Sequence, residues 1–354
     1  MKIVSVVGAR PQFIKCALLS REIRKFHKEV LIHTGQHYDY DMSRLFFEEL
    51  SIPEPDYNLG IGSGSHGAQT GNMLVEIERV LTKEKPDMVL VYGDTNSTLA
   101  GALAGAKLHI PVAHVESGLR SFDKSMPEEV NRILTDHVSD LLFAPTKTAV
   151  DNLKKEGIKK GVHLTGDIMM DALLANLKIA EKSNILKNLE VEPKKYLLAT
   201  VHRASNTDDV VKLKNIIQAL SESGDKIIFP VHPRTEKIIR NDKLKSLAKG
   251  NLILTKPIGY IDFLWLQNNA KKILTDSGGI QKEAYMLGVP CITLRDNTEW
   301  VETVKSGWNV LSGTDKKKIL DNIRNFRPHV KRERLFGDGK ASKRIVQIIN
   351  DFSV

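Results

Sequence analysis

The stretch Lys2–Lys15, KIVSVVGARPQFIK, sets the pattern from which the fold is read. Ile3–Val7 is short, apolar and rich in β-branched side chains; Gly8 permits a tight turn; Pro11 suits the first position of a helix. This strand–turn–helix unit recurs along the chain. Similar runs, each followed by a helical pattern, lie at Val30–His33, Met88–Tyr92, Val112–Val115, Leu141–Ala144, Tyr196–Val201, Lys226–Val231, Leu252–Thr255, Ile273–Thr275 and Cys291–Leu294. Strands apolar on both faces with intervening helices mark parallel α/β sheets. Ten such units are too many for one ordinary doubly wound sheet, so two α/β domains are expected, with a single β/α barrel as the alternative.

The fifth unit ends at Leu141–Pro145, Thr148–Gly157 reads as a helix, and His163–Met170 leads toward a helix over Ala172–Glu181. The lysine-rich Lys182–Lys195 then precedes the first strand of the second half. The crossing is placed near Asp167, giving an N-terminal domain over 1–166 and a C-terminal domain over 167–341. The amphipathic Ser342–Asp351 closes the chain, and a C-terminal helix over 342–354 is expected to join the first domain.

The chain has 354 residues, 41% hydrophobic and 27% charged, which suffices for a sizeable core. No apolar run approaches the ~18 residues that span a bilayer, and the N-terminus lacks the pattern of a signal peptide. Cys16 and Cys291 stand far apart, so neither a disulfide framework nor a CxxC metal site is expected, and a reducing cytoplasm is the natural location. Of the net charge of +9, nearly all sits between Lys316 and Arg344, where eleven basic residues face Asp321, Glu333 and Asp338. That stretch carries no nucleic-acid-binding motif; it reads as solvated surface, or as a long-range attractor of an anionic substrate.

Ligands of open α/β sheets bind beyond the carboxyl ends of the strands. After the first strand, Arg10 and Lys15 are presented beside a helix N-terminus, an arrangement suited to phosphate. Gly93-Asp94-Thr95-Asn96-Ser97-Thr98 follows the third strand, and Asp94 either caps the next helix or offers a carboxylate to the cleft. Glu116 lies just past the fourth strand, and Glu128 opens a helix in which first-turn acids also suit the macrodipole. Asp94, Glu116 and Glu128 beside Arg10 and Lys15 point to proton transfer on an anionic substrate. In the second half, His202 stands at the end of a strand, and Val231-His232-Pro233-Arg234 repeats the pattern. In Thr275–Glu283 a strand runs into Ser277, Gly278 and Gly279, whose backbone N–H groups suit a diphosphate, with Glu283 placed to accept hydrogen bonds from a ribose.

Two motifs are set aside. Gly62–Gly67 matches G-x-G-x-x-G, but Pro53–Ile61 before it does not read as a strand, so the segment is taken as a loop. His33 and His37 have i,i+4 spacing, but Gly35 breaks any helix between them, and no metal site is expected.

Taken together, the chain resembles the non-hydrolysing UDP-N-acetylglucosamine 2-epimerase family over nearly its whole length. The matching pieces are GARPQFIK (8–15), TGQH (34–37), GDTNST (93–98), HVESGLR (114–120), PEEVNR (127–132), VHR (201–203), TDSGGIQKEA (275–284) and LRDNTE (294–299). The resemblance implies a glycosyltransferase B-type fold: two Rossmann-like doubly wound parallel-sheet domains facing a central cleft. It implies interconversion of UDP-GlcNAc and UDP-ManNAc by elimination of UDP to a 2-acetamidoglucal and its readdition, with no cofactor. Carried over position by position, Asp94, Glu116 and Glu128 resemble the acid/base carboxylates and His202 the histidine near the diphosphate. Arg10, Lys15, Ser277, Gly278 and Gly279 would hold phosphates, Glu283 the ribose, and Phe263 would lie near the uracil. A homodimer is implied, with neither nucleic acid nor membrane as a partner.

Two positions depart from the pattern. His202–Asn206 reads HRASN where bacterial members usually read HRREN, which bears on the family's activation by a second UDP-GlcNAc, and Trp300 stands where many carry arginine. A hydrolysing 2-epimerase, releasing ManNAc and UDP, and a retaining glycosyltransferase of the same fold are the alternatives; a non-catalytic nucleotide-sugar sensor would leave the carboxylates unexplained.

Overall fold

The computed structural model describes residues 1–36, 53–241, 244–247 and 250–352, and within them the apolar runs form two separate, wholly parallel sheets. The first holds β1 (Lys2–Val7), β2 (Lys28–His33), β3 (Tyr57–Asn58), β4 (Met88–Tyr92), β5 (Val112–Val115), β6 (Leu141–Ala144) and β7 (Val162–Leu164). Their spatial order is β3-β2-β1-β4-β5-β6-β7. The second holds β8 (Leu197–Thr200), β9 (Ile227–Pro230), β10 (Leu252–Thr255), β11 (Lys272–Thr275), β12 (Cys291–Thr293) and β13 (Asn309–Leu311), in the order β10-β9-β8-β11-β12-β13. Each is the doubly wound order, reversing direction between its first and fourth strands.

All ten apolar runs are strands. The three strands that the sequence does not signal, β3, β7 and β13, are two or three residues long and lie at sheet edges, where no continuous apolar run is needed. Tyr57–Asn58 corrects the reading of Pro53–Ile61 as wholly non-strand, since it pairs with Ile32 and His33 at the rim. The glycine-rich segment behind it is shorter than expected: Ser65 accepts the Ala68 N–H and starts the helix His66–Glu84.

The chain divides into two compact units, Met1–Ala172 with Arg334–Val354, and Leu173–Glu333. It passes from one to the other inside the helix Ile168–Ala180. In the first unit, Val4, Val6, Val89 and Val91 pack with Met73, Ile77 and the small residues of the helix Asn96–Lys107. That helix can lie so close because Gly101 and Gly105 leave no side chain there. A Cβ at Gly105 would come within 2.9 Å of Val112 and 3.1 Å of Val89. The closing helix Ala341–Asp351 packs on the helix Arg10–Ile23, and Asp171 accepts its first N–H groups, Ala341 at 3.0 Å and Ser342 at 2.8 Å. In the second unit one apolar cluster lies on each side of the sheet strands, with Leu213, Ile217 and Phe229 in one and Tyr196, Ile228 and Leu266 in the other.

Candidate functional site

In the first unit the direction of the sheet reverses between β1 and β4, and the turns after these strands carry the candidate residues. Gly8 and Ala9 follow β1, but their N–H groups are not presented to an anion. Both donate to the Gln12 side-chain oxygen, at 2.8 and 2.9 Å, while the Gln12 amide donates to the Tyr92 carbonyl at the end of β4. Gln12 thus ties the two turns together. Arg10 begins the helix, and its side chain lies outside the described residues, as does His37.

After β4 comes Asp94. The helix behind it is capped by Thr95, whose hydroxyl accepts the Thr98 N–H, so Asp94 is not a cap. Its carboxylate is paired with Arg132 at 2.5 Å, and its carbonyl accepts from Asn131 at 2.9 Å. After β5, Glu116 sits in the left-handed backbone region with φ of 74°, a conformation that costs a non-glycine residue about 1–3 kcal/mol. Such strain persists where surrounding contacts impose it. Here the Glu116 carboxylate is ion-paired with Lys15, both side chains being about nine-tenths buried. Lys15 therefore meets a carboxylate in this arrangement.

Arg132 ties together more than Asp94. Its other terminal nitrogen donates to Glu129 at 2.8 Å, and Glu129 in turn accepts the N–H groups of Ser121 and Phe122. Burial alone would raise the Glu129 pKa, but those backbone donors and Arg132 hold it below the usual carboxylate range. Glu128, one residue earlier on the helix Pro127–Val138, is exposed and makes no polar contact with this group among the described residues. The structure thus joins Lys15 to Glu116 and Asp94 to Arg132, and leaves Glu128 on the surface. Arg132 and Glu129 were not singled out from sequence; their signal was the i,i+3 spacing of opposite charges within PEEVNR.

In the second unit the reversal lies between β8 and β11, whose ends meet through the Thr200 and Thr275 hydroxyls at 2.7 Å. Asp276, fully buried after β11, accepts the N–H groups of His202 at 3.2 Å and Arg203 at 3.1 Å and the Asn206 amide at 3.0 Å. It has no role in the reading of the 275–284 motif from sequence, and it fastens the histidine-bearing turn to the glycine turn. His202 itself is exposed. Gly278 has no room for a side chain, since a Cβ would collide with the Glu299 carboxylate, which Arg295 holds at 2.9 Å. Ser277 is half-buried and Gly279 exposed at the start of the helix Gly278–Leu287. Trp300 is buried and carries the Lys282 ammonium over its ring at 4.4 Å.

Glu283 lies on the second turn of that helix and is 6% exposed. It accepts from the Gln267 amide at 2.7 Å and faces the Tyr260 hydroxyl at 3.4 Å; burial raises its pKa, with Gln267, Lys282 and Tyr260 opposing. Tyr260, Gln267 and the half-buried Phe263 share the helix Tyr260–Asn269, so Phe263 and Glu283 belong to adjoining elements.

Chemically, the first unit offers carboxylates held beside cations, suited to moving protons, and the second offers a glycine turn, an imidazole and a buried acid, suited to a nucleotide. No group of three or more metal-ligating side chains occurs among the described residues, and no helix among them is long and apolar enough to cross a membrane. Two doubly wound parallel sheets with these turns at their reversal points define a two-domain α/β protein of the glycosyltransferase B type. The profile of the UDP-N-acetylglucosamine 2-epimerase family matches residues 21–350, and the chain belongs to that family. It is 61% identical to a UDP-N-acetylglucosamine 2-epimerase homologue of Methanococcus maripaludis, over 99% of this chain and all of that one. It is 48% identical to the UDP-2,3-diacetamido-2,3-dideoxy-D-glucuronate 2-epimerase of Pseudomonas aeruginosa, over 99% of each. The crystal structure of Methanocaldococcus jannaschii UDP-GlcNAc 2-epimerase in complex with UDP-GlcNAc and UDP matches with a TM-score of 0.88 at 50% identity, over 99% of this chain and 100% of that one.

Proposed function

We propose that the protein interconverts UDP-GlcNAc and UDP-ManNAc without net hydrolysis. The observation that carries this reading is the pair of carboxylates, Asp94 and Glu116, on turns after neighbouring strands and each set against a buried cation. C2 of the sugar has no adjacent carbonyl, so its proton becomes acidic only as the C1–O bond to UDP breaks. A carboxylate then takes the C2 proton, the C–H electron pair forms the C1=C2 double bond, and UDP leaves with the C1–O electrons. Return of UDP to C1 with protonation of C2 from the other face gives the epimer. Because a proton moves and no hydride does, the cycle needs no nicotinamide.

Asp94, Glu116 and Glu128 are the acid/base groups of this reading, with His202 beside the diphosphate. Ser277, Gly278 and Gly279 bind phosphate with Arg10 and Lys15, Glu283 binds the ribose, and Phe263 lies by the uracil. The enzyme acts in the cytoplasm as a homodimer. Arg132 and Lys15 support the chemistry by orienting Asp94 and Glu116. Incubation with UDP-GlcNAc in D2O, followed by NMR, tests the proposal. UDP-ManNAc with deuterium at C2 is expected. Free ManNAc would indicate the hydrolysing reaction, and protium retained at C2 would exclude proton transfer through a carboxylate. The Pseudomonas relative makes UDP-2,3-diacetamido-2,3-dideoxyglucuronate the second substrate to assay. Light scattering in solution tests the dimer.

A further inference from the structure

Between the turns that carry Asp94 and Glu116 lies a fully buried imidazole that the proposed mechanism does not use. His114 is on β5, two residues before Glu116. Its Nδ1 is 2.7 Å from the Asp136 carboxylate and its Nε2 2.7 Å from the carbonyl of Gly93, the residue before Asp94. The ring thus bridges a carboxylate and a main-chain carbonyl through its two nitrogens. Asp136 in turn accepts the Gly118 N–H at 3.0 Å and Arg120 at 2.7 Å, and Arg120 continues to Glu156 at 2.7 Å. Burial alone would raise the Asp136 pKa, yet its bonds to His114 and Arg120 keep it below the ordinary range. One imidazole thus joins the turn after β4 to the turn after β5. The latter holds Glu116, a non-glycine residue in the left-handed region, which a free loop would not keep.

We propose that His114, anchored by Asp136, is a positioning residue that fixes Asp94 relative to Glu116 through the Gly93 carbonyl. This rests on the proposed role of those carboxylates. The side-chain nitrogen of glutamine can stand where Nε2 does, and that of asparagine where Nδ1 does. His114→Gln therefore keeps the donor to Gly93 and loses that to Asp136, and His114→Asn does the reverse. A purely structural role favours His114→Asn, which preserves the bond to the buried carboxylate.

The positioning role predicts that kcat for UDP-GlcNAc epimerisation falls by about 10- to 100-fold in His114→Asn with KM unchanged, since a misplacement of ~1 Å costs on the order of 10²-fold. His114→Gln should keep more of the kcat. Wild-type kcat in His114→Asn, or a kcat for His114→Gln no better than that for His114→Asn, overturns the proposal. If neither variant folds by circular dichroism, Asp136→Asn decides: reduced kcat with unchanged KM supports the proposal and wild-type kcat overturns it. Asp94→Asn, assayed in parallel, separates the two levels. Full activity there refutes the role of Asp94 itself, whereas inactive Asp94→Asn beside fully active His114→Asn refutes only the positioning.

Discussion

Replacing Glu283 by glutamine should weaken UDP binding and stabilise the protein at the same time. Glu283 is 6% exposed, and its largest perturbation is burial, which raises its pKa above the usual carboxylate value of 4.5. The folded protein therefore holds this proton at a pH where the unfolded chain has lost it. The carboxyl's contribution to stability is present at acid pH and lost as pH rises through the raised value. At neutral pH the buried anion costs stability, and the amide removes that cost while still accepting from Gln267. Binding moves the other way. A charge-assisted hydrogen bond to a ribose hydroxyl contributes about 1.5–3 kcal/mol, so its loss should raise the Kd for UDP by about 10- to 150-fold. Calorimetric titration with UDP and thermal melting as a function of pH from acid to neutral measure both. The wild type should lose UDP affinity on acidification, while Glu283→Gln binds weakly at every pH but melts higher at neutral pH. Unchanged UDP affinity in the variant would refute the ribose assignment, and a lower melting temperature would show that Glu283 contributes more through its partners than it costs by burial.

Three further outcomes are expected. Asp94→Asn, Glu116→Gln and Glu128→Gln should each lower kcat by at least about 10²-fold with circular dichroism unchanged, and normal turnover in all three would refute the mechanism. Lys272 is 1% exposed, and burial, with Arg327 and Lys271 adding repulsion, lowers its pKa from 10.5 to about 8. The unfolded chain then binds the extra proton between these values, so stability to urea should rise with pH through that interval, a slope that Lys272→Met should flatten. Gly278→Ala should destabilise the protein by about 1–3 kcal/mol and weaken UDP binding, because the new methyl group displaces Glu299 from Arg295; wild-type melting would show that the turn relaxes freely.

Legibility from sequence followed how local each feature is. Most of the ten strands could be read because a strand buried on both faces must be apolar throughout; β3, β7 and β13 could not, because a sheet edge of two or three residues carries no such requirement. Whether Asp94 caps the next helix or offers a carboxylate is not legible locally, since an aspartate there suits both; the Thr95 cap and the ion pair of Asp94 with Arg132, 38 residues away, decide it. The same holds for Gln12. Its bonds from the Gly8 and Ala9 N–H groups are local, but those to the Tyr92 carbonyl and the Thr98 hydroxyl exist because β1 and β4 are neighbours, a fact of topology. Asp276 stood inside a recognised motif, but its grip on the His202 turn depends on β8 lying beside β11.

On the proposed function, the two units meet their chemical demands by opposite means. Proton transfer needs carboxylates whose positions do not relax as charge moves, because donors and acceptors fixed in advance avoid reorganisation during the reaction. In the first unit that rigidity comes from buried charge. Lys15, Arg132 and Arg120 each satisfy an acid, and removing one partner of such a pair typically costs about 3–5 kcal/mol because the other is left uncompensated. Substituting a whole pair by apolar groups is often neutral for folding, so stability alone gives no reason to build these pairs. Their arrangement around Asp94 and Glu116, together with the left-handed backbone at Glu116, fits a role in orientation. The second unit does the reverse. Asp276 is satisfied by two backbone N–H groups and a neutral amide and thereby sets the path of the main chain, leaving the N-terminal groups of the helix Gly278–Leu287 as one source of positive potential. In the proposed cycle a nucleotide binds, leaves and returns to C1, and partial charges of this kind suit a ligand that must be released.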